Sequence, residues 1–532
     1  MNTINKIALW LIAMIATVNV SAAIPEPALI PAPQSMELME GTFKFNKKNL
    51  TINVSDSSLI PAAEYLSESL GRFAEIKVTT DNGNAPLQLT TAANDSTLST
   101  DGAYRLNIRK DRIQITAAGY NGIINGISTL RQLLPIDARK AAVPCLDISD
   151  APGFWWRGMM LDSSRHFWTI PEVEQFIDLM ALYKMSVFHW HLIDNQGWRA
   201  ESERYPELTE LGGWRTFMDI DNACEEAAAN DPSMRIPRDR MRVNAAGDSI
   251  YGGYYTKADM RHIVDYAGKR GIQVVPEFDV PGHSAMMLAL HPEFRCNGTH
   301  STSVCPGKDA TLDFCREIFA ELFEIFPSKY VHMGGDEVDK SLWHTCPDCG
   351  RRVAEQDLES PEELQAWFVR QMELFFRNNN RTLIGWDEIA HDGLGSEAAI
   401  MWWRGDNSGV VADATAAGKH VTCTPTTCLY FDYPQPETEI DKILALDPLE
   451  GLPARQRRLI NGLQANVWTE YIPTVERMQF QIFPRMIALA EAAWNADTSH
   501  RLTPEELRRR LPAHLRRFDA MGINYQHPVQ NP

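Results

Sequence analysis

The sequence predicts an α/β protein in which a (β/α)8 TIM barrel follows a small α/β domain. From residue 154 onward, eight apolar runs of strand length alternate with amphipathic helical segments, which is the order of elements in a barrel of parallel strands. Each run ends in polar or aromatic residues, as barrel strands do. A doubly wound open sheet is the alternative. The sequence disfavours it, because no Gly-x-Gly-x-x-Gly motif follows the first strand and no phosphate-binding loop occurs.

The first residues have the pattern of an export signal. Lys6 supplies a positive charge, residues 7–18 form an almost unbroken apolar stretch, and Ser21-Ala22-Ala23 offers small residues for cleavage. The stretch is shorter than the roughly 20 residues of a membrane-spanning helix. We therefore expect removal of residues 1–23 and a periplasmic or extracellular protein without stable membrane insertion. A retained anchor is the alternative.

The 532 residues are too many for one hydrophobic core, so several domains are expected. Residues 24–152 alternate short β-type runs with helical patterns at 61–73 and 122–134, which predicts a small accessory α/β domain. The barrel is predicted over residues 153–497. Residues 498–532 are charged and helix-prone, and we expect them to pack on the barrel as a helical tail.

The eight predicted barrel strands are short and strongly apolar. They cover residues 158–161, 186–192, 273–278, 329–333, 382–386, 399–403, 420–424 and 462–468. Among the helices between them, those that follow Thr169 and Ser360 begin with a capping box and a proline in the first turn. The acidic stretch 215–252 follows the second strand, and we expect it to overhang the rim of the barrel.

The net charge limits the classes of partner, and the cysteine content limits the possible disulfides and metal sites. The net charge of -18 argues against nucleic acid or an anionic membrane as a partner, since both would repel the chain. Nine cysteines permit disulfides in an exported protein and leave at least one thiol unpaired. Cys346-Pro-Asp-Cys349 has the spacing of half a zinc site, but no second Cys-x-x-Cys occurs, so a local disulfide is favoured. The pairing of the cysteines, which include Cys296 and Cys305, stays open.

Acids, indoles and arginines gather at the ends of the predicted strands. After the fourth strand, Gly334 and Gly335 permit close backbone approach, and Asp336 and Glu337 point to opposite sides of an extended backbone. Two carboxylates in different environments suit general acid chemistry, with one protonated and the other ionised. The other strands contribute Arg157, Asp162 and Arg165; His191 and Asp194; Glu277, Asp279 and His283; Trp386; Trp402, Trp403 and Arg404; Tyr430 and Asp432; and Trp468 and Glu470.

This mixture of side chains is typical of a carbohydrate site. Indole faces cover the C–H faces of sugar rings, while carboxylates and arginines hydrogen-bond the hydroxyl groups. No serine or cysteine nucleophile motif accompanies these residues. His189 and His191 share one face of a strand, but buried structural histidines are commoner than metal ligands, so we expect no metal.

The same motifs closely resemble those of glycoside hydrolase family 20, the β-N-acetylhexosaminidases, over residues 30–494. The resemblance is carried by Arg157-Gly158, Asp162-x-x-Arg165-His166-Phe167, His189-Trp190-His191-Leu-x-Asp194-x-Gln196-Gly197-Trp198-Arg199, Pro276-Glu277-x-Asp279-x-Pro281-Gly282-His283, His332-x-Gly334-Gly335-Asp336-Glu337 and Trp468-x-Glu470. It implies an exo-acting retaining enzyme that releases terminal β-linked N-acetylglucosamine or N-acetylgalactosamine from oligosaccharides and glycoconjugates. It also implies that no metal or organic cofactor is needed.

The resemblance assigns catalytic roles to five residues. The substrate's own 2-acetamido group would be the nucleophile, forming an oxazolinium intermediate. Glu337 would act as general acid and then as base, and Asp336 would hold the acetamido N–H. Tyr430 would donate to the acetamido oxygen. His283, backed by Asp194, would tune the pKa of Glu337.

The resemblance also assigns substrate contacts. Arg157 would bind the C3 and C4 hydroxyls, and Asp432 and Glu470 would bind the C4 and C6 hydroxyls. An aromatic cage would enclose the acetyl methyl group, and its members would be Trp386, Trp403 and Trp468. Of the adjacent Trp402 and Trp403, the second is chosen because it precedes Arg404.

Two other functions stay open from the sequence. A secreted carbohydrate-binding protein on the same barrel would keep the Trp and Arg contacts without turnover. A retaining glycosidase that uses Asp336 or Glu337 as a direct nucleophile would act on plain β-glucosides or β-galactosides. The preferred sugar, the natural glycan and its linkage, release of monosaccharide or disaccharide, and the oligomeric state also stay open.

Overall fold

The computed structural model describes residues 26–45, 49–137, 139, 141–391, 393–395, 397–405, 409–435 and 440–527. The predicted export signal, residues 1–23, lies outside these residues. Within the described ranges, no helix has both the length and the apolar character that crossing a membrane requires.

The N-terminal domain is a seven-stranded mixed sheet with two helices packed on it. Its elements are β1 (Ser35–Lys44), β2 (Leu50–Val54), α1 (Ile60–Leu70), β3 (Ile76–Thr79), β4 (Leu87–Thr91), β5 (Tyr104–Ile108), β6 (Ile113–Ala117), α2 (Tyr120–Leu133) and β7 (Ala142–Asp150), and the strand order is β1-β7-β5-β6-β4-β2-β3. Along β5 and β6 buried and half-buried residues alternate, because only one face of the sheet lies under the helices. Helix α2 also contacts the next domain, where the Ser128 hydroxyl donates to the carbonyl of Ala181 at 2.8 Å.

Twelve strands follow in the described part of the chain. They are β8 (Trp156–Asp162), β9 (Val187–Asp194), β10 (Gly197–Trp198), β11 (Trp214–Arg215), β12 (Met241–Val243), β13 (Ser249–Gly252), β14 (Gln273–Phe278), β15 (Tyr330–His332), β16 (Thr382–Trp386), β17 (Ala399–Trp402), β18 (His420–Cys423) and β19 (Ile460–Val467). Strands β8, β9 and β14 to β19 are parallel, and the barrel closes because β8 pairs with both β9 and β19. The predicted (β/α)8 barrel is therefore confirmed.

Helices surround the barrel and cover its strands. They are α3 (Ile170–Leu182), α4 (Pro206–Glu210), α5 (Asp219–Ala227), α6 (Lys257–Lys269), α7 (Ala285–Leu290), α8 (Asp309–Ile325), α9 (Pro347–Glu355), α10 (Glu363–Asn378), α11 (Gly409–Ala416), α12 (Ile440–Ala445), α13 (Ala454–Arg457), α14 (Val475–Ile482), α15 (Arg485–Trp494) and α16 (Pro504–Met521). Thr169 caps α3 with Glu172, as the sequence predicts. The last helix packs on the barrel through His514, which lies 3.1 Å from the Tyr183 hydroxyl, and through Phe518, whose ring centroid lies 4.4 Å from that of Phe483.

The insertion after β9 forms a three-stranded sheet in the order β11-β13-β12. Buried Arg215 joins it to the barrel, because its guanidinium pairs with Asp221 and donates to the carbonyl of Arg165 at 2.9 Å. The insertion also contacts the loop after β19, where the Cys224 thiol lies 3.5 Å from the carbonyl oxygen of Glu470. It therefore packs behind two residues that point into the barrel mouth.

Candidate functional site

A cavity of about 590 Å³ opens at the carboxyl ends of the barrel strands. Its walls combine acids, aromatic rings, one arginine and one histidine. The lining residues are Arg165, His283, Asp336, Glu337, Trp403, Tyr430, Asp432, Tyr433, Pro434, Trp468, Glu470, Tyr471 and Ile472. Eight of the eleven predicted site residues are in this set, and the other three are Asp194, Trp386 and Arg157.

The turn after β15 aims Asp336 and Glu337 into the cavity. Gly334 and Gly335 have φ of 72° and 96°. A Cβ at Gly334 would lie 1.7 Å from a carboxylate oxygen of Asp279, so only glycine fits there. Glu337 has a φ of 47°, a left-handed conformation that is uncommon outside glycine. The backbone at this strand end is therefore strained so that both acids face one space.

Asp336 is buried beside a second acid, Asp279. Burial raises the pKa of Asp336, and burial together with the nearby Asp336 charge raises the pKa of Asp279 well above its usual range. Two carboxyl groups this close cannot both ionise easily, so one proton is held between them. Because the shift is larger at Asp279, that residue keeps the proton and donates to Asp336. Asp336 is thus an oriented acceptor at the cavity wall.

Glu337 shares the other side of the turn with His283. The His283 Nε2 lies 3.7 Å from Glu337 Oε2 and 3.5 Å from Asp336 Oδ2, while its Nδ1 lies 3.1 Å from Asp194 Oδ1. Burial opposes a charge on this ring, but the negative charge of Asp194 outweighs it and raises the pKa of His283 far above its usual value. The contact with this imidazolium, and its positive charge, lower the pKa of Glu337.

Asp194 anchors this arrangement from behind the cavity. Burial alone would raise the pKa of Asp194, but the charges of Arg165 and His283 hold it well below its usual range. Arg165 Nη2 lies 3.0 Å from Asp194 Oδ2 and 3.6 Å from Glu470 Oε1. The guanidinium therefore connects the ionised Asp194 to the cavity rim.

Three aromatic rings line the same cavity as Asp336. Tyr430 stacks on Trp403 with ring centroids 6.1 Å apart and lies 6.4 Å from Trp468. Burial and the neighbouring Asp336 charge raise the pKa of the Tyr430 hydroxyl well above its usual value, so it stays a donor. Trp386 lies behind this enclosure rather than in its surface, with its ring 5.8 Å from Trp468 and its N–H donated to Glu277 at 2.9 Å.

The choice between the two adjacent tryptophans agrees with the structure. Trp403 lines the cavity, and its N–H donates to Glu388 at 2.9 Å. Trp402 is the last residue of β17 and packs in the main hydrophobic core outside the cavity. Neighbouring residues of a strand point to opposite sides, so only one of the pair can face the site.

Asp432, Glu470 and Arg165 form the polar rim. Burial raises the pKa of Asp432 to about 7. One oxygen of its carboxylate, Oδ1, has no hydrogen-bond partner among the described residues, so it is available to a ligand. The ring of Trp468 lies 5.0 Å from the Arg165 guanidinium, which fixes the arginine beside the aromatic enclosure.

The predicted contact of Arg157 with substrate is wrong. Arg157 is the second residue of β8, at the opposite end of the barrel from Asp336. Its guanidinium donates to the carbonyls of Lys184 at 2.7 Å and Phe154 at 2.8 Å, and it lines a separate cavity of about 310 Å³. Arg165, which follows the carboxyl end of the same strand, is the arginine in the site.

Four further residues of the site had no predicted role. Arg165 and Asp279 follow barrel strands, and a strict rule of taking only residues after a strand's carboxyl end would have selected both. Tyr433 and Tyr471 also line the cavity, and no sequence signal distinguished them. His189 and His191 lie inside the barrel against the buried Glu277, away from the cavity surface.

Comparison with known proteins agrees with this architecture. Residues 154–497 match the model of the glycosyl hydrolase family 20 catalytic domain, and residues 26–151 match domain 2 of that family. The chain is 33% identical over 539 residues to a β-hexosaminidase of Porphyromonas gingivalis, covering 94% of this chain. It spans only 64% of that relative's length.

Two further relatives are similar to this chain over most of the length of both proteins. A β-hexosaminidase of Akkermansia muciniphila is 33% identical, over 82% of this chain and 88% of that protein. The crystal structure of a GH20 exo-β-N-acetylglucosaminidase of Vibrio harveyi in complex with N-acetylglucosamine has a TM-score of 0.81 and 28% identity, over 95% of this chain and 80% of that chain. Because its two domains match the two family models in order, this chain belongs to glycosyl hydrolase family 20.

Proposed function

We propose that the chain is an exo-acting, retaining β-N-acetylhexosaminidase that uses the substrate's acetamido group as the nucleophile. One observation carries the proposal: Asp336, the Tyr430 hydroxyl and the rings of Trp403 and Trp468 enclose one part of the cavity. An acetamido group has an N–H, a carbonyl and a methyl group, and this enclosure offers an acceptor, a donor and an apolar surface.

Asp336 and Tyr430 would orient the acetamido group for attack. With the shared proton held by Asp279, Asp336 accepts the acetamido N–H and stabilises the positive charge that develops on it. Tyr430 donates to the carbonyl oxygen and aligns it with the anomeric carbon. Holding the two reacting atoms in place supplies much of the rate gain of an intramolecular step.

Glu337 would supply the proton for bond cleavage. The carbonyl oxygen bonds to the anomeric carbon as the glycosidic bond breaks, and the departing oxygen takes the proton from Glu337. Water then attacks the anomeric carbon of the oxazolinium ring and gives a proton to Glu337. Two displacements at one carbon restore the β configuration.

The lowered pKa of Glu337 belongs to a carboxylate that water still reaches, since its side chain is 62% exposed. A sugar seated in the cavity would displace that water and disfavour the charged form. The imidazolium of His283, 3.7 Å away, can then pass its proton to Glu337. His283 would therefore act as the positioning and proton-holding partner, with Asp194 keeping it charged until the sugar is bound.

The polar rim would bind the remaining hydroxyl groups of a terminal sugar. Arg165, Asp432 and Glu470 provide one donor and two acceptors beside the ring of Trp468. N-acetylglucosamine and N-acetylgalactosamine differ only in the orientation of the C4 hydroxyl. The proposal includes both sugars as substrates. The Vibrio harveyi relative, whose structure contains N-acetylglucosamine, supports this class of substrate.

A thiazoline analogue of the cyclised sugar tests the mechanism. It copies the proposed intermediate, and such mimics bind about 10²- to 10⁸-fold more tightly than substrates. We expect competitive inhibition of aryl β-N-acetylglucosaminide hydrolysis, with affinity at least about 100-fold above that of N-acetylglucosamine. Equal affinity for the two ligands, or activity on plain β-glucosides, would point to a direct carboxylate nucleophile. Absence of hydrolysis would favour a binding protein.

Arg157, at the amino end of the first barrel strand, and Arg165, which follows its carboxyl end, provide a matched pair of variants for testing the sugar contact. Arg165→Lys should lower kcat/KM about 10- to 100-fold, because loss of one charge-assisted hydrogen bond costs about 1.5–3 kcal/mol. Arg157→Lys should lower the thermal unfolding temperature and leave kcat/KM of the folded protein near that of the wild type. Steady-state kinetics and thermal unfolding of both variants check this. The reverse pattern would return the sugar contact to Arg157.

A further inference from the structure

Four cysteines that are distant in sequence meet beside the catalytic loops. Cys296 and Cys305 follow α7, and Cys346 and Cys349 stand at the start of α9. Their sulfur atoms all lie within 4.8 Å of one another, and all four residues are buried. We call this group the four-cysteine cluster. It lies outside the residues that line the 590 Å³ cavity.

The spacing of the sulfurs matches a tetrahedral metal site. Cys296 Sγ lies 3.7 Å from Cys349 Sγ, and Cys305 Sγ lies 3.7 Å from Cys346 Sγ and 3.6 Å from Cys349 Sγ. Zinc–sulfur bonds of about 2.3 Å in a tetrahedron place the sulfurs ~3.8 Å apart. A disulfide would require about 2.05 Å. Cys305 is also equally near to two partners, whereas a disulfide has one.

We propose that the four-cysteine cluster binds one structural zinc ion. The four thiols would lose their protons to solvent on binding, which gives a closed tetrathiolate site with no open position for substrate. The start of α9 favours thiolates at two of the four positions. Cys346 is the N-cap of α9 and Cys349 is in its first turn, where the helix dipole stabilises negative charge.

Two arginines of the same helix hold the segment that follows Cys305. Arg351 and Arg352 of α9 both donate to the carbonyl of Gly307, at 2.9 and 3.4 Å. Gly307 has room for no side chain, because a Cβ would lie 2.3 Å from the backbone of Asp348. The two cysteine-bearing segments are therefore closely packed through Gly307.

The ion would tie together the loops that carry His283 and Glu337. The backbone N–H of Val304, next to Cys305, donates to the carbonyl of Pro281 at 2.9 Å. The Trp343 N–H donates to the carbonyl of Val304 at 3.1 Å. Val338, which directly follows Glu337, packs against the four-cysteine cluster. A bound ion would thus hold both sides of the acid–histidine pair without touching substrate.

This proposal replaces the expectation of a local disulfide and of a chain without metal. The sequence contains no second Cys-x-x-Cys motif, but the fold supplies the second pair from Cys296 and Cys305, which are nine residues apart. The structure joins none of the nine cysteines in a disulfide.

The first test measures metal and thiols on the full chain, purified without added zinc, chelator or reductant. Elemental mass spectrometry should find about one zinc per chain. Alkylation after denaturation should label all four cluster cysteines, and peptide mapping should find no disulfide among them. Absence of zinc, or any disulfide within the cluster, would overturn the proposal. Both readouts are independent of glycosidase activity, so a failure here is distinct from a failure of the proposed function.

The second test compares two cysteine variants. Cys349→Ser should lose the zinc, and Cys145→Ser, in the N-terminal domain, should keep it. Removal of zinc from the wild type with a chelator should lower the thermal unfolding temperature, and added zinc should restore it. Should Cys349→Ser fail to fold, the wild-type measurements decide. Zinc retained at the wild-type level in folded Cys349→Ser would also overturn the proposal.

Discussion

Replacement of Glu337 with glutamine is expected to lower kcat/KM about 10²- to 10⁴-fold on natural β-linked disaccharides, the usual contribution of a general acid. Glutamine keeps the shape of the side chain but has no acidic proton for the departing oxygen. Aryl glycosides with acidic phenols leave without a proton, so their loss should be much smaller. The comparison of the two substrate classes, by steady-state kinetics, reports the chemical role of Glu337.

The fold should survive this change, because the Glu337 side chain is 62% exposed. Asp339→Asn provides the control, since Asp339 is an exposed acid two residues further along that does not line the cavity. Its kinetics should match those of the wild type. Equal losses on both substrate classes in Glu337→Gln would remove Glu337 from the role of acid.

Replacement of Asp336 with asparagine is expected to lower kcat about 10²- to 10³-fold, the typical cost of removing one oriented electrostatic group. In the proposed mechanism, the variant loses the negative charge that orients the acetamido N–H and stabilises the developing positive charge. Because the thiazoline resembles the intermediate, its affinity should fall in parallel with kcat/KM. Near-normal turnover would contradict the assigned role.

Asp336→Asn should also separate activity from stability. Burial raises the pKa of Asp336 in the folded state, so ionisation of this group disfavours folding at pH values above its unfolded pKa. A neutral asparagine removes that cost at neutral pH. Thermal unfolding near pH 7 should therefore occur at the same or a higher temperature while turnover falls. A large loss of stability would mean that the kinetic loss reflects unfolding.

The sequence predicted the barrel well because its strands are covered on both sides. Parallel strands buried by helices and by interior side chains are continuous apolar runs, and the polar residues that follow them mark their carboxyl ends. Glu337, Asp432 and Glu470 were located in this way. Arg157, in contrast, lies at the amino end of β8, and five residues of extended chain separate it from Asp162 by ~17 Å.

Other features depend on tertiary structure that local patterns do not encode. Trp386 ends β16 and Trp403 directly follows β17, but the first is directed into the barrel interior and the second into the cavity. The four-cysteine cluster needs two loops from different barrel strands. The pairing of Asp279 with Asp336 depends on the missing side chain of Gly334.

His283 and Glu337 both have a φ of 47°, a conformation that costs a non-glycine residue roughly 1–2 kcal/mol. Any programme that selects this protein for heat resistance alone should therefore enrich glycine or asparagine at these two places and discard turnover. Libraries built for durability should leave both codons fixed. Substitutions that raise heat tolerance are better made in the outer helices, away from the cavity.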